Sequence, residues 1–198
     1  MDSSSLNRRK MLTYLGLSLV SLGGTIACTP QTPQSNSSTA VTPVESSEQA
    51  LAAQSGRSLP EFQDIEQWIN SAPLSIRDLK GKATLIHIWT FGCINCQRTL
   101  PYVIRWHEQY AKQGLNVVGI HTPEFGYERD IGNVKRAIGK RNITYPNAID
   151  NKFTMWKAYN NEYWPHLFLA DRQGIIQYDH IGEGAYDTTE KTIQMLLS

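Results

Sequence analysis

Two cysteines, Cys93 and Cys96, stand two residues apart in "WTFGCINC", directly behind a run of apolar residues. Three kinds of chemistry use such a pair: metal binding, a structural staple, and thiol redox exchange. A structural zinc site needs four ligands. The chain offers two thiols here, with no second CxxC and no closely spaced histidine pair, so His87, His107, His121 or His166 would have to be borrowed. The metal expectation is therefore none. A disulfide closing so short a loop removes little chain entropy and stabilises weakly. Redox exchange accounts for more. A cysteine at a helix start faces unpaired backbone N–H groups and the positive end of the helix dipole, which favour thiolate over thiol. Cys93 would attack, and Cys96, one turn further in, would resolve the mixed disulfide.

The elements that must position the pair follow from the hydrophobic pattern. "ATLIHIW" (83–89) is a nearly continuous apolar run of strand length, as a central strand buried on both faces requires. The spacing predicts a helix from about Cys93 through "QRTLPYVIRWHEQYAKQG", with Pro101 inside it and Gly114 as its stop. "LNVVGIH" (115–121) reads as a second buried strand, "ERDIGNVKRAIGKRN" (128–142) as a helix, and "NKFTMWKAYNN" as a short helix. "HLFLAD" and "IIQYDHIG" read as strands joined by the turn "DRQG", and "TTEKTIQMLLS" as a closing helix. Upstream, "EQWINSAPLSIRDLKGK" reads as a short hairpin or turn and a helical turn, punctuated by Pro73 and Gly81. These elements make an α/β fold with a mixed sheet covered on both faces.

In order, the motifs resemble the thioredoxin superfamily. Trp89 lies four residues before Cys93 and Pro101 eight after it, as in that family, and "YWPHLFLADRQG" resembles its cis-proline strand and following hairpin. The segment between the CxxC helix and Pro165 is longer than in plain thioredoxin, which resembles the TlpA-like branch. "WINSAPLSIRDLKGK", "WTFGCINCQRTLP", "VVGIHTPEF", "YPNAIDN" and "IGEGAYDTTE" together resemble the soluble thioredoxin-like domain of DipZ-type proteins, over about residues 61–198. The implied fold is thioredoxin-like, with an N-terminal hairpin extension and an inserted segment before the cis-proline.

The resemblance also implies site residues. Pro165 would leave the preceding backbone free to pair with an extended substrate. Glu124 matches a glutamate that TlpA-like proteins hold near the cysteines, either exchanging the proton of Cys96 from an apolar site or serving as a plain loop carboxylate. Trp89 supports the motif, the core, or both. His87 stands where many members carry a buried aspartate, and either takes over its role or is an inert core histidine. His166, beside Pro165, would touch the site or lie on the surface of a strand.

The remaining 58 residues carry a different signal. Arg8, Arg9 and Lys10 precede an apolar stretch from Met11 to about Ala27, the order of an export signal. The stretch is at the short end for a membrane span and is diluted by Ser18, Ser21, Gly23 and Gly24. "NRRKML" resembles a twin-arginine signal and "TIAC" a bacterial lipoprotein signal ending at a lipidated Cys28. Thr25 stands where the lipoprotein pattern carries leucine, so cleavage without lipidation is the alternative. Residues 29–58, rich in Ser, Thr, Pro and Gln, form a disordered tether, with a typical span of about 30 Å. The expected organisation is an export signal at 1–28, a tether at 29–58 and a thioredoxin-like domain at 59–198.

With 198 residues, 40% hydrophobic and 19% charged, one globular domain and a tail are expected, and a net charge of +1 leaves no basic footprint for nucleic acid. The expectation is a monomeric thiol:disulfide oxidoreductase outside the cytoplasm, without a cofactor and membrane-tethered by its N-terminus. It would reduce disulfides of exported proteins such as apocytochrome c, with a separate membrane electron donor. Three alternatives stand beside it. A thiol oxidant would run the same exchange in reverse. A thiol peroxidase is hinted at by "TFGC", but Ile86 stands where peroxiredoxins have proline. A Sco-like copper chaperone would space its cysteines by three residues, not by Ile94 and Asn95 alone.

Overall fold

The computed structural model describes residues 56–198. The expected export signal, the lipidation expected at Cys28 and nearly all of the expected tether fall on residues outside the described ones.

Strand β1 (Trp68–Ile69) and helix α1 (Ile76–Leu79) precede β2 (Ala83–Trp89), which leads into α2 (Ile94–Tyr110). A 3-10 turn, Ala111–Gln113, extends α2 and ends at Gly114, whose φ of 106° is the left-handed conformation that closes helices. Then come β3 (Leu115–His121), a 3-10 turn at Gly126–Arg129, α3 (Ile131–Lys140), β4 (Asn147–Ile149), α4 (Thr154–Ala158), β5 (His166–Ala170), β6 (Ile176–Ile181) and α5 (Tyr186–Leu197).

The strands form one sheet in the order β1-β4-β3-β2-β5-β6. β2, β3 and β4 run parallel, β5 and β6 antiparallel to their neighbours, and β1 antiparallel to β4. This is the mixed sheet of a thioredoxin-like fold. All seven residues of β2 are buried because it is central and covered on both faces. The two-residue period of a strand divides them. Leu85 and Trp89 pack with Leu100, Val103 and Trp106 of α2 and with Val134, Ile138 and Ile193. Ile86 and Ile88 face the opposite cluster with Val118, Ile120, Phe168, Met155 and Tyr159.

Two expectations need correction. The N-terminal extension is not a hairpin: β1 is too short to make one and adds to the far edge of the sheet beside β4. The domain also begins before residue 59, since Gly56 N–H donates to Ile176 O at 2.8 Å and Ser58 bridges Ile175. Unpaired backbone on the sheet edge draws in residues 56–58. The segment between β3 and Pro165 holds α3, β4 and α4, and β4 is what widens the sheet.

Candidate active site

Strand β2 ends at Trp89, and a short turn carries the chain to Cys93, the N-cap of α2. Gln97 N–H donates to Cys93 O at 3.0 Å, closing the first helical turn. Gln97 Nε2 donates to Phe91 O at 3.0 Å and ties the helix back to the turn. Both cysteines are free thiols, Cys93 half-buried and Cys96 buried.

Their environments push them apart. Cys93 is pulled down from 9.0 to about 6, chiefly by the hydrogen bond from the Cys96 thiol. Partial burial opposes this, the N–H groups of Cys96 and Asn95 add to it, and the Glu124 charge works weakly against it. Cys96 moves strongly upward, first through burial and then because its proton is held by Cys93, with the Glu128 charge adding to the effect. One sulfur is poised as nucleophile while the other keeps its proton.

The segment before β5 faces this pair. The Trp164–Pro165 peptide is cis, and Trp164 O lies 3.8 Å from Cys93 Sγ. A carbonyl at that distance is too weak a partner to outweigh the N–H groups and the Cys96 thiol. Trp164 Nε1–H donates to Thr122 O at 3.0 Å, and Gly182 N–H to Pro165 O at 2.8 Å, fixing the segment between the end of β3 and β6. His166 is buried rather than exposed on its strand, with Nδ1 2.5 Å from Asn161 Oδ1 and Nε2 2.9 Å from Asp179 Oδ2.

The carboxylates are arranged otherwise than expected. Glu124 is exposed rather than set in an apolar site. The buried carboxylate is Glu128, four residues on and fully shielded from solvent. Its Oε1 accepts Gly92 N–H at 2.7 Å, and its Oε2 accepts Glu124 N–H at 2.7 Å and Phe125 N–H at 2.8 Å. Sequence reading missed it. The signal was a glutamate at the third position of a helical turn, where a carboxylate reaches back to the preceding N–H groups.

His87 is fully buried with neither ring nitrogen hydrogen-bonded, and burial lowers it to about 3. It stacks on Trp89 at 6.1 Å as a neutral core group. Trp89 serves core and motif together, for its indole is buried while its N–H is committed to Asn147. Among the described residues no group of three or more His, Cys, Asp or Glu side chains converges as a metal site.

A mixed sheet with helices on both faces, a CxxC capping a helix and a cis-proline opposite it define a thioredoxin-like protein. The family model described as Redoxin matches residues 54–197, and the chain belongs to that family. It is 38% identical to Protein DipZ of Mycobacterium bovis over 155 residues, 77% of this chain but 22% of DipZ, so the matched region spans less than a quarter of that relative. It is 29% identical to the thiol-disulfide oxidoreductase YkuV of Bacillus subtilis, covering 71% of this chain and 94% of YkuV. A thioredoxin-like protein solved in solution in its oxidized form superposes with a TM-score of 0.66 at 29% identity, covering 71% of this chain and 95% of the other.

Proposed function

We propose that the protein is a thiol:disulfide oxidoreductase that works outside the cytoplasm, tethered by its N-terminus, and reduces disulfides in exported polypeptides, with apocytochrome c as one candidate. The observation that carries this is the pairing of a Cys93 thiol lowered to about 6 with a buried, protonated Cys96. The resemblance to DipZ and YkuV supports it.

The Cys93 thiolate attacks one sulfur of the substrate disulfide. A Cys93–substrate disulfide forms and one substrate thiolate leaves. Cys96 then gives up its proton and attacks Cys93 Sγ, so the Cys93–Cys96 disulfide forms and the second substrate thiolate leaves. The substrate gains two electrons and two protons, and an external dithiol donor returns the pair to its reduced form. A polypeptide substrate is favoured by exposed apolar side chains at Ile94, Phe125, Tyr127 and Tyr163, on the segments that flank Cys93 and Pro165.

Two experiments test the reading. With dithiothreitol as donor, the protein should reduce the disulfides of an unfolded polypeptide, and Cys93→Ser should abolish this. In cell envelopes, Cys96→Ser should hold exported proteins in mixed disulfides with Cys93. A wild-type protein that reduces nothing and binds copper tightly would overturn the proposal in favour of metal handling.

A further inference from the structure

Resting on the redox reading of the cysteine pair, we infer that Glu128 is a positioning residue for Cys93, a latch that ties the turn ahead of the nucleophile to the loop after β3 and so sets the geometry of the attacking sulfur.

The geometry is specific. Gly92 immediately precedes Cys93, and its N–H is held by Glu128 Oε1, while the other oxygen gathers the N–H groups of Glu124 and Phe125. One buried carboxylate thus joins two loops that come from different strands. A buried carboxylate is costly unless its lone pairs are occupied, and three backbone donors occupy them here. Gly92 is required by the same contact. A Cβ at this position would collide with Glu128 Oε1 and come within 2.7 Å of the Tyr127 hydroxyl, so only glycine lets the carboxylate close on the turn.

The latch acts through placement. The groups facing Cys93 Sγ are the Cys96 thiol, the N–H groups of Asn95 and Cys96, the Trp164 carbonyl and, more weakly, Glu124. Glu128 itself is not among them. Its hold on Gly92 fixes the direction in which the chain enters the N-cap, and with it the approach of the sulfur to those N–H groups. Its charge bears instead on Cys96, adding to its upward shift, and on His121, where it partly offsets the lowering by burial.

Placement and charge predict opposite signs, which makes the inference testable. Glu128→Gln removes the charge and turns an amide donor toward backbone donors, breaking part of the latch. Gly92→Ala leaves the charge in place and displaces the carboxylate sterically. The rate of Cys93 alkylation by iodoacetamide, followed from pH 4 to 9 in the full chain, reports the thiolate without requiring turnover. If the latch positions Cys93, both variants move the midpoint upward, and the rate near pH 6.5 falls by roughly fivefold as the thiolate loses its donors. The double variant should lose little more than either single one. The pair should also become more reducing, because the reduced form has lost stabilisation.

A faster reaction in Glu128→Gln would show that charge is what matters and overturn the inference. Two variants that unfold at lower temperature but keep the wild-type midpoint would reduce Glu128 to a stabilising contact and overturn it equally. If Glu128→Gln fails to fold, Gly92→Ala decides alone. Failure of the oxidoreductase reading would appear elsewhere, as a wild-type protein with a normal midpoint and no disulfide reduction.

Discussion

The indole N–H of Trp89 donates to Oδ1 of Asn147 at 3.0 Å, reaching from β2 to β4 past the intervening strand β3. The residue of β3 that pairs with Asn147 is Gly119, and the absence of a side chain there leaves room for the bond. Asn147 Nδ2 donates to Tyr145 O at 2.9 Å, which fixes the orientation of the amide. The side chain that closes β2 ahead of the CxxC turn is thus held from two strands away.

Gly119→Ala should therefore destabilise the fold. A Cβ would collide with the Asn147 side-chain amide and approach Trp89 Nε1 to 3.0 Å. Overpacking and a lost buried hydrogen bond together should cost about 2 to 4 kcal/mol. Urea denaturation measures this, and a change below about 0.5 kcal/mol, within the range of ordinary surface substitutions, would contradict the account.

Alkylation of Cys93 should follow a thiolate midpoint near pH 6, because Cys93 is pulled down to about that value. The largest cause is the Cys96 thiol, so Cys96→Ala should move the midpoint up toward an unperturbed cysteine, about 8.5. The sign for stability follows from the same shift. With a folded pKa below the unfolded one, the contribution is fully present above the unfolded pKa and is lost as pH falls through about 6. Reduced protein should accordingly lose part of its stability between pH 8 and 5, and oxidised protein should not lose that part.

Two buried histidines give a second pH dependence. His87 is lowered to about 3 and His121 to about 4, both first through burial. Unfolding frees both to bind protons below the ordinary histidine pKa. Stability should then fall as pH drops below about 6.5, each histidine contributing a slope of about 1.4 kcal/mol per pH unit until its folded pKa is reached. His87→Leu should remove the His87 share of that slope, since an apolar side chain replaces a ring with two unpaired nitrogens. Disulfide reduction should persist. Loss of activity with the fold intact would instead assign His87 a part in proton transfer.

Glu124→Gln should shift the Cys93 midpoint slightly downward, because the Glu124 charge opposes the thiolate. The side chain is exposed, so salt should screen the effect. An upward shift, or a large loss of disulfide reduction, would restore Glu124 to the catalytic role that its motif implies.

Local signals made much of the fold legible. The β2 and β3 runs are short, branched and apolar because central strands are buried on both faces, and they form where the pattern puts them. The helix starts at Cys93 and stops at Gly114 for equally local reasons, capping and a left-handed backbone. The N-terminal segment misled because a two-residue strand has no periodicity to read, and its partner, β4, lies nearly eighty residues away in the chain.

What the sequence determined by itself is the cysteine pair and the helix that presents it, each written in neighbouring residues, while the proline that faces the pair was legible through the family resemblance of its strand. What only the tertiary structure decided is which groups surround that pair. Glu124 and Glu128 are four residues apart in one loop; the turn position marks Glu128 as a capping carboxylate, but its burial against Gly92 and the exposure of Glu124 come only with the assembled fold. The same holds for His87, whose neutrality comes from core packed around it on every side. Burial is a property of the whole assembled chain, and the pKa values, the latch and the Trp89–Asn147 bond exist only after distant strands have met.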